Sequence, residues 1–228
     1  MFTLNDVLLH RSRLMGEIGR RELRTRRKQW PRLLAEKLAR LGVTPNAVSI
    51  TSIVFALVTA VLWSPLLRVS LPVKSALFVL GSLGIQLRLL CNLIDGLIAI
   101  EGGQKSPVGD IYNDAPDRLS DALVFIAAGY LSYDPALGWL AALLAVGTAY
   151  VRTLGTALTA VSDYRGPMAK QQRMFILTVG GLGSAWEIFF GSTWIMTIVL
   201  VIVCLGSIVT IIRRLRHISK LLWSQSTR

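Results

Sequence analysis

Residues 92–121 read NLIDGLIAIEGGQKSPVGDIYNDAPDRLSD, and the rest of the chain is interpreted outward from this stretch. It lies between two long apolar segments, and charge at the edge of a bilayer is costly enough that it usually serves a function. Oxygen-rich side chains suit a hard cation such as Mg²⁺ or Mn²⁺ better than zinc. Six of the thirteen acidic residues of the protein fall within it: Asp95, Glu101, Asp110, Asp114, Asp117 and Asp121.

The composition around this stretch is that of an integral membrane protein. Of the 228 residues, 53% are hydrophobic, and the mean hydropathy is +0.54. These values exclude an ordinary soluble domain. Apolar runs of roughly 20 residues predict an all-α, polytopic fold with six transmembrane helices. The predicted spans lie near residues 46–66, 72–100, 118–133, 136–160, 174–191 and 193–212.

The net charge of +12 is unevenly placed, since eleven of the 25 Lys and Arg residues lie in residues 1–40. The 161–173 connection and the tail from Arg213 are also basic. The positive-inside rule therefore predicts that both termini and the acidic stretch face the cytoplasm, in an inner or cytoplasmic-type membrane. No nucleic-acid-binding motif accompanies the basic segments, so the expected partner is an anionic membrane surface, not a nucleic acid.

The segment before the first span carries an amphipathic pattern of Leu and Trp among Arg and Lys. This spacing predicts an N-terminal interfacial amphipathic helix, and the alternative is a solvated basic helix. Thr44 and Pro45 fit the cap and first turn of the helix that follows. The chain then divides into a basic cytoplasmic or interfacial segment (1–42), a six-helix transmembrane catalytic domain (43–212) and a basic cytoplasmic tail (213–228).

The acidic stretch places its oxygen-bearing side chains on two helix faces. Asn92 and Asp95 are three residues apart, whereas Asn113, Asp117 and Asp121 follow one another at intervals of four. Residues at these spacings share a face, so two packed helices would bring all five side chains together. The small residues Gly96 and Ala99 leave room for a nucleotide to approach the backbone of the first helix. The Gly102-Gly103 pair and Pro107 separate the two helices.

The same residues resemble the signature of the CDP-alcohol phosphatidyltransferase family, Asp-x2-Asp-Gly-x2-Ala-Arg-x8-Gly-x3-Asp-x3-Asp. This chain has the same spacing throughout. Five of the eight specified residues match, and the chain is identified as a divergent member over about residues 43–212. The matching residues are Asp95, Gly96, Ala99, Gly109 and Asp117, and the departures are Asn92, Ile100 and Asn113.

The resemblance implies an enzyme of phospholipid biosynthesis. Such an enzyme transfers a phosphatidyl group from a CDP-activated lipid, here CDP-diacylglycerol, to a small hydroxyl acceptor and releases CMP. It also implies two Mg²⁺ or Mn²⁺ ions, a catalytic base at the last signature Asp, a CDP contact at Gly96, Ala99 and Gly109, and a homodimer. The expected metal ligands are Asn92, Asp95, Asn113, Asp117 and Asp121.

The departures leave alternatives open. Asn offers a carbonyl oxygen to a metal but no charge, and Asp121, one turn beyond the signature, extends the acidic stripe. Either Asp117 or Asp121 is then the base. A catalytically inactive member that binds lipid or nucleotide is the alternative to an enzyme. A small transporter or channel is a third hypothesis, which leaves the preserved spacing unexplained.

Five basic residues around the stretch complete the expectations. Arg152 lies inside the fourth predicted span, where a charge predicts a function. Together with Lys170 and Arg173 it is expected to bind a phosphate of the acceptor or donor, although topological charge is the alternative for Lys170 and Arg173. Arg88 is expected to pair either with an acid of the site or with Glu187. Arg118 is expected to pair with Asp114, four residues before it, as structural support, and the alternative is a contact to the donor phosphate.

Overall fold

A computed structural model describes residues 29–101 and 108–226 of the chain, and in these residues the fold is built from helices with no strands. This confirms the all-α prediction. Seven α-helices and one short 3₁₀ turn, Ile188–Phe190, are described. The helices are α1 (Gln29–Arg40), α2 (Pro45–Leu62), α3 (Leu71–Glu101), α4 (Gly109–Leu131), α5 (Pro135–Thr159), α6 (Lys170–Glu187) and α7 (Trp194–Ser226).

Two of these helices begin at caps that are visible in the sequence. The side chain of Thr44 accepts a hydrogen bond from the amide of Ala47 at 3.2 Å, which confirms the predicted cap of α2. Asp134 caps α5 in the same way, with 3.1 Å to the amide of Leu137. In both cases proline follows the cap, where its missing N–H has no helical partner to lose.

Helices α2 to α7 form a closed ring in which each packs mainly against two neighbours. The order around the ring is α3, α2, α4, α5, α7 and α6, and α6 packs back onto α3. Successive helices run in alternate directions. As a result, the starts of α2, α4 and α6 lie at the same end of the ring as the ends of α3 and α5. The end of the long helix α7 lies there too.

Helices α4 and α5 meet backbone to backbone near the turn that joins them. A Cβ added at Gly129 would lie 2.6 Å from the Cα of Gly138, and one added at Gly138 would lie 2.7 Å from the Cα of Gly129. Any side chain at either position would push the helices apart. This contact fixes the spacing of α4 beside α5.

Within residues 29–101 and 108–226, four helices are long and apolar enough to cross a membrane, and we treat the chain as an integral membrane protein. They span Pro45–Leu62, Leu71–Ile100, Pro135–Thr159 and Trp194–Gln225. The predicted third and fifth spans correspond to α4 and α6, which are not among these four. Both begin earlier than predicted, at Gly109 and Lys170. The added turns carry polar signature residues in α4 and basic residues in α6.

The last helix continues past the predicted end of the sixth span. Helix α7 runs without a break from Trp194 to Ser226, so the basic residues from Arg213 onward lie on the same helix as the apolar span. Arg214 is buried although it follows directly on the apolar run. Its side chain is therefore available to the interior of the ring.

Helix α1 packs its apolar side on the end of α3. Leu34 and Leu38 join a cluster with Leu93, Ile94 and Leu97 of α3. The apolar side chains of Trp30, Leu33 and Leu41 are exposed. Leu23, which belongs to the same predicted pattern, lies outside the described residues. Helix α1 therefore supports the part of α3 that carries Asn92 and Asp95.

The start of α7 is held by Glu187, the last residue of α6. Its carboxylate accepts hydrogen bonds from Ser192 Oγ at 2.6 Å, from the amide of Trp194 at 2.8 Å and from the amide of Ile195 at 3.0 Å. A carboxylate placed there satisfies amides that have no partner within the helix and complements the helix dipole. Glu187 is thus a structural residue, not the partner of Arg88.

Replacing Glu187 by Ala is expected to lower the free energy of unfolding by about 1–2 kcal/mol, as for the loss of other helix caps. Unfolding of the purified protein in detergent measures the effect. Glu36→Ala is the matched control, because Glu36 is exposed on α1 and its loss should change stability by less than about 0.5 kcal/mol. Equal stability of the two variants would contradict the cap.

Candidate active site

The signature residues and the predicted phosphate-binding cations lie at one end of the helix ring. Asn92 and Asp95 are near the end of α3, whereas Asn113 and Asp117 are near the start of α4. Lys170 and Arg173 occupy the first turn of α6. The alternating helix directions bring these three segments together, although as many as 81 positions separate them along the chain.

Three acids spaced along α4 are each paired with cations. Asp114 contacts Arg118 of its own helix and Arg152 of α5, the latter at 3.3 Å. The Nζ of Lys170 lies 2.5 Å from Oδ2 of Asp117. Asp121 is bonded through one oxygen to Arg88, and its other oxygen lies 3.6 Å from Arg173. The predicted Arg118–Asp114 pair is therefore present as structural support.

The innermost of these pairs is sealed from solvent. Arg88, Asp121 and Arg173 are 0%, 1% and 2% exposed, respectively. Arg173 also donates to Thr148 Oγ1 at 2.7 Å and to the carbonyl of Met168 at 2.8 Å. The buried Arg214 donates to the carbonyl of Thr148 at 2.6 Å. A continuous polar network thus runs from α4 through α6 and α5 to α7.

Arg88 joins the two halves of the signature. It projects from α3, one turn before Asn92, and contacts both Asp121 and Asp117 of α4; its Nη2 lies 3.7 Å from Asp117 Oδ1. Of the two partners expected for Arg88, the acid of the site is the one found. Helices α3 and α4 touch each other little, so this ion pair is a main link between the two signature segments.

Asp95 lies apart from the paired acids and retains a free carboxylate oxygen. Its Oδ2 accepts a hydrogen bond from Ser49 of α2 at 2.6 Å. Among the described residues, Oδ1 has no hydrogen-bond partner even though the residue is only 3% exposed. Asn92 Nδ2 and Asp117 Oδ1 are also buried without hydrogen bonds. Asp117 and Lys170 both act electrostatically on Asp95, so the three charged groups lie near one another.

The residues present fit one divalent ion better than two. The free oxygen of Asp95 and the amide of Asn92, one turn away on the same helix, offer oxygens to a hard cation. Mg²⁺ commonly uses only one or two carboxylates and completes its shell with water and substrate phosphates. In the described residues, however, no three His, Cys, Asp or Glu side chains are grouped to hold a metal ion. Both oxygens of Asp121 are already paired with arginines.

The remaining predicted residues, namely Gly96, Ala99, Gly109 and Arg152, lie outside the ion pairs of Asp117 and Asp121. Gly96 is buried on α3, Ala99 is half-buried there, and Gly109 is the first residue of α4. Arg152 does not share an acid with Lys170 or Arg173; its guanidinium contacts Asp114 and lies 5.8 Å from the ring of Tyr164. Tyr164 also lines a surface cavity together with Val161, Ser162, Asp163, Arg165 and His217.

Three polar residues of this site were absent from the sequence-based set. Ser49 and Thr148 are each one of several hydroxyl residues in apolar helices, where most such residues bond to their own backbone, so no local signal distinguishes them. Arg214 adjoins Arg213 and Arg216 at a span end, where the pattern predicts topological charge. Its burial follows only from the packing of α7 against α5.

Comparisons with known proteins agree with this architecture. No family model matches the sequence. The inner membrane protein YnbA of Escherichia coli (strain K12) is 27% identical over 144 residues, which cover 63% of this chain and 69% of that protein. The phosphatidylinositol phosphate synthase of Mycobacteroides abscessus is 26% identical over 194 residues, or 81% of each chain.

Solved structures of the phosphatidylinositol phosphate synthase PgsA1 from Mycobacterium tuberculosis share the fold. With CDP-DAG bound, that protein matches with a TM-score of 0.64 and 18% identity over 84% of this chain and 94% of its own. With manganese and citrate, the TM-score is again 0.64, with 18% identity over 82% and 88%. The ring of helices described above is thus a known membrane architecture.

Proposed function

This chain belongs to the CDP-alcohol phosphatidyltransferase family, and we propose that it transfers a phosphatidyl group from CDP-diacylglycerol to a small hydroxyl acceptor. The acceptor oxygen forms a bond to the phosphorus of the phosphatidyl group, and the bond from that phosphorus to CMP breaks. The hydroxyl proton passes to a base of the protein. The product is a phospholipid, and CMP is the leaving group.

The observation that carries this proposal is the assembly of both signature segments at one end of the ring. The spacing from Asn92 to Asp117 matches the family signature, and Arg88 ties the first segment to Asp117 and Asp121 of the second. Cationic side chains of α3 and α6 contact Asp117 and Asp121 of the second segment. Fixed cations of this kind stabilise the negative charge that develops on a transferred phosphoryl group.

Asp117 is better placed than Asp121 to act as the base. The side chain of Asp117 is 15% exposed, and its Oδ1 makes no hydrogen bond within the described residues. Asp121 is enclosed and has both oxygens paired with arginines, which stabilises its charged form and blocks access. We therefore assign proton abstraction to Asp117. Asp121 is a positioning residue that holds Arg88 and Arg173.

The first signature helix would hold the donor. Gly96 and Ala99, with Gly109 at the start of α4, leave space for the CDP moiety next to the backbone. Asp95 would hold a divalent cation together with the side-chain oxygens of Asn92 and Asn113. When bound, such a cation neutralises charge on the diphosphate and favours departure of CMP. PgsA1, which shares the fold, has been solved with manganese.

Arg152 is the candidate for recognition of a phosphate on the acceptor. Its side chain is 31% exposed, more than those of Lys170 and Arg173, and its partner Asp114 is also bonded to Arg118. Arg152→Gln is expected to raise the KM for a phosphorylated acceptor by about 10- to 100-fold, since a hydrogen bond to a charged group contributes about 1.5–3 kcal/mol. Steady-state CMP release measures this. An equal effect on an unphosphorylated acceptor would refute the assignment.

The membrane arrangement follows from the charge pattern. We propose that α4 and α6 complete a set of six spans, with both termini and the site at the cytoplasmic face. The basic residues of α1, of the segment before α6 and of the end of α7 all lie at the site end, as the positive-inside rule requires. Trp30 and Leu33 of α1 would face the anionic interface. The boundaries of the membrane domain at residues 42 and 212 are proposed from the charge and hydropathy pattern. The homodimer is proposed from the resemblance.

The direct test is CMP release by the purified full-length protein in detergent. It would be supplied with CDP-diacylglycerol, Mn²⁺ or Mg²⁺ and a panel of phosphorylated and unphosphorylated alcohols. CMP formation that needs both an acceptor and a metal supports the proposal. Asn92 and Asn113, in place of two signature Asp, favour a second candidate, a non-catalytic protein that binds nucleotide or lipid. Donor binding without CMP release from any acceptor would establish that candidate instead.

A further inference from the structure

The charges in the pocket differ from those expected of a site for two metal ions. Neutral Asn92 and Asn113 remove two negative charges from the signature. Lys170 is bonded to Asp117, and Arg88 and Arg173 enclose Asp121. The three cations outnumber the two acids they contact. A second divalent ion would therefore meet a region that is already positive.

The ion pairs of Asp121 with Arg88 and Arg173 lie in the packed interior, and Asp121 cannot exchange these partners for others. Removing one partner from a buried ion pair leaves an uncompensated charge at a cost of about 3–5 kcal/mol. Arg88 and Arg173 are almost fully buried, and Arg173 is held by two further hydrogen bonds. Asp121 is consequently unavailable as a metal ligand. Lys170 differs, because its side chain is 24% exposed and has only Asp117 as an ion-pair partner among the described residues.

We propose that the site works with a single divalent ion at Asp95 and that Lys170, on Asp117, takes the place of the second ion. Asp95 supplies the free buried oxygen for the ion, with Asn92 and Asn113 as neutral ligands. The ammonium group of Lys170, assisted by Arg88, supplies positive charge on the other side of the donor diphosphate. This inference rests on the proposed function, whose donor carries that diphosphate.

Lys170 can neutralise the donor diphosphate while Asp117, its ion-pair partner, acts as the base. A lysine is a compact point charge that binds phosphate, so it can neutralise one face of a diphosphate without a metal. Its bond to Asp117 uses Oδ2. Oδ1, which makes no hydrogen bond within the described residues and lies 3.7 Å from Arg88, accepts the proton of the acceptor. The replacement of Asp by Asn at positions 92 and 113 agrees with this role of Lys170. A site that holds one divalent ion and one fixed lysine needs fewer acidic ligands than a site that holds two divalent ions.

The number of bound Mn²⁺ ions tests the proposal without reference to turnover. The full-length protein in lipid nanodiscs, with CDP-diacylglycerol and no acceptor, is titrated with Mn²⁺ and followed by electron paramagnetic resonance. We expect one ion per chain and the spectrum of an isolated ion. Two ions about 3.5–4 Å apart would show spin–spin coupling. Two bound ions, or none at saturating Mn²⁺, would overturn the proposal.

Substitutions at Lys170 test the role of its charge. Lys170→Gln frees Oδ2 of Asp117 and removes a positive charge. It should admit a second ion or tighten Mn²⁺ binding by about tenfold, at the lower end of effects of neighbouring groups on metal affinity. Lys170→Arg keeps the charge and should bind one ion. Lys74→Gln, a change of the same kind at the opposite end of α3, should match the wild type. Unchanged Mn²⁺ binding in Lys170→Gln would refute the role of the lysine.

Failure of this proposal and failure of the proposed function give different results. One Mn²⁺ ion per chain, sensitive to Lys170→Gln, together with no CMP release from any acceptor would leave the metal assignment intact and reject catalysis. Two coupled Mn²⁺ ions together with CMP release would reject the single-ion site and support the enzyme.

Discussion

Asp117→Asn is expected to lower the rate of CMP release by about 10²- to 10⁴-fold, the usual contribution of a general base. The substitution preserves shape but removes the proton acceptor. It also removes the charge that Lys170 contacts at 2.5 Å. Because the residue lies at the edge of the pocket with its side chain 15% exposed, the loss should fall mainly on kcat.

Asp134→Asn is the matched control for this experiment. Asp134 caps α5 at the opposite end of the ring, and Asn caps a helix about as well as Asp. The control should therefore keep wild-type activity and stability. The assignment of Asp117 fails if its Asn variant stays within about threefold of the wild type, or if Asp121→Asn alone causes the larger loss of kcat in correctly folded protein.

Arg88→Met is expected to lower the free energy of unfolding by about 3–5 kcal/mol, as when one member of a buried ion pair is removed. Arg88 is 0% exposed and is bonded to Asp121, which is 1% exposed. The variant leaves Asp121 with only Arg173 and removes the link between α3 and α4. Unfolding in detergent measures the stability, and binding of CDP-diacylglycerol reports whether the two signature segments still meet.

Two comparisons make this second prediction specific. Arg118→Met removes an exposed pair at i,i+4 with Asp114 and should cost only about 0.3–0.5 kcal/mol. The double variant Arg88→Met with Asp121→Asn removes the stranded charge, so its loss should be smaller than the sum of the single losses. Additive losses, or equal stability of Arg88→Met and Arg118→Met, would show that the buried pair is not a stabilising link.

The acidic residues of the site and its cations Arg88, Lys170 and Arg173 could be predicted, but most of the ion pairs between them could not. The spacing from Asn92 to Asp117 indicated the family chemistry, and the i,i+4 rule indicated the Arg118–Asp114 pair, because both depend on neighbours along one helix. The partner of Arg88 was open between an acid of the site and Glu187. Helix periodicity places a residue on a face but does not say which helix covers that face. The tertiary structure determines the partner of Arg88. Arg88 reaches from α3 to Asp117 and Asp121 of α4, whereas Glu187 caps α7.

Asp121 shows the same limit. Its position on the acidic stripe suggested a metal ligand or base, since it continues the spacing of Asn113 and Asp117. Burial between Arg88 and Arg173, which come from two other helices, ties up both of its oxygens. Arg214, Thr148 and Ser49 likewise belong to the site only because their helices pack against it. No motif around these three residues predicts that they contact the site.

Local sequence rules therefore account for the helical membrane fold, the cap at Thr44, and the spacing of the signature residues. Hydropathy, capping and helical spacing act within a single helix and need no knowledge of its neighbours. Only the tertiary structure decided which acids remain free for chemistry and which are neutralised. That outcome depends on which cations meet each carboxylate when six helices close into a ring, and such contacts join residues far apart in the chain.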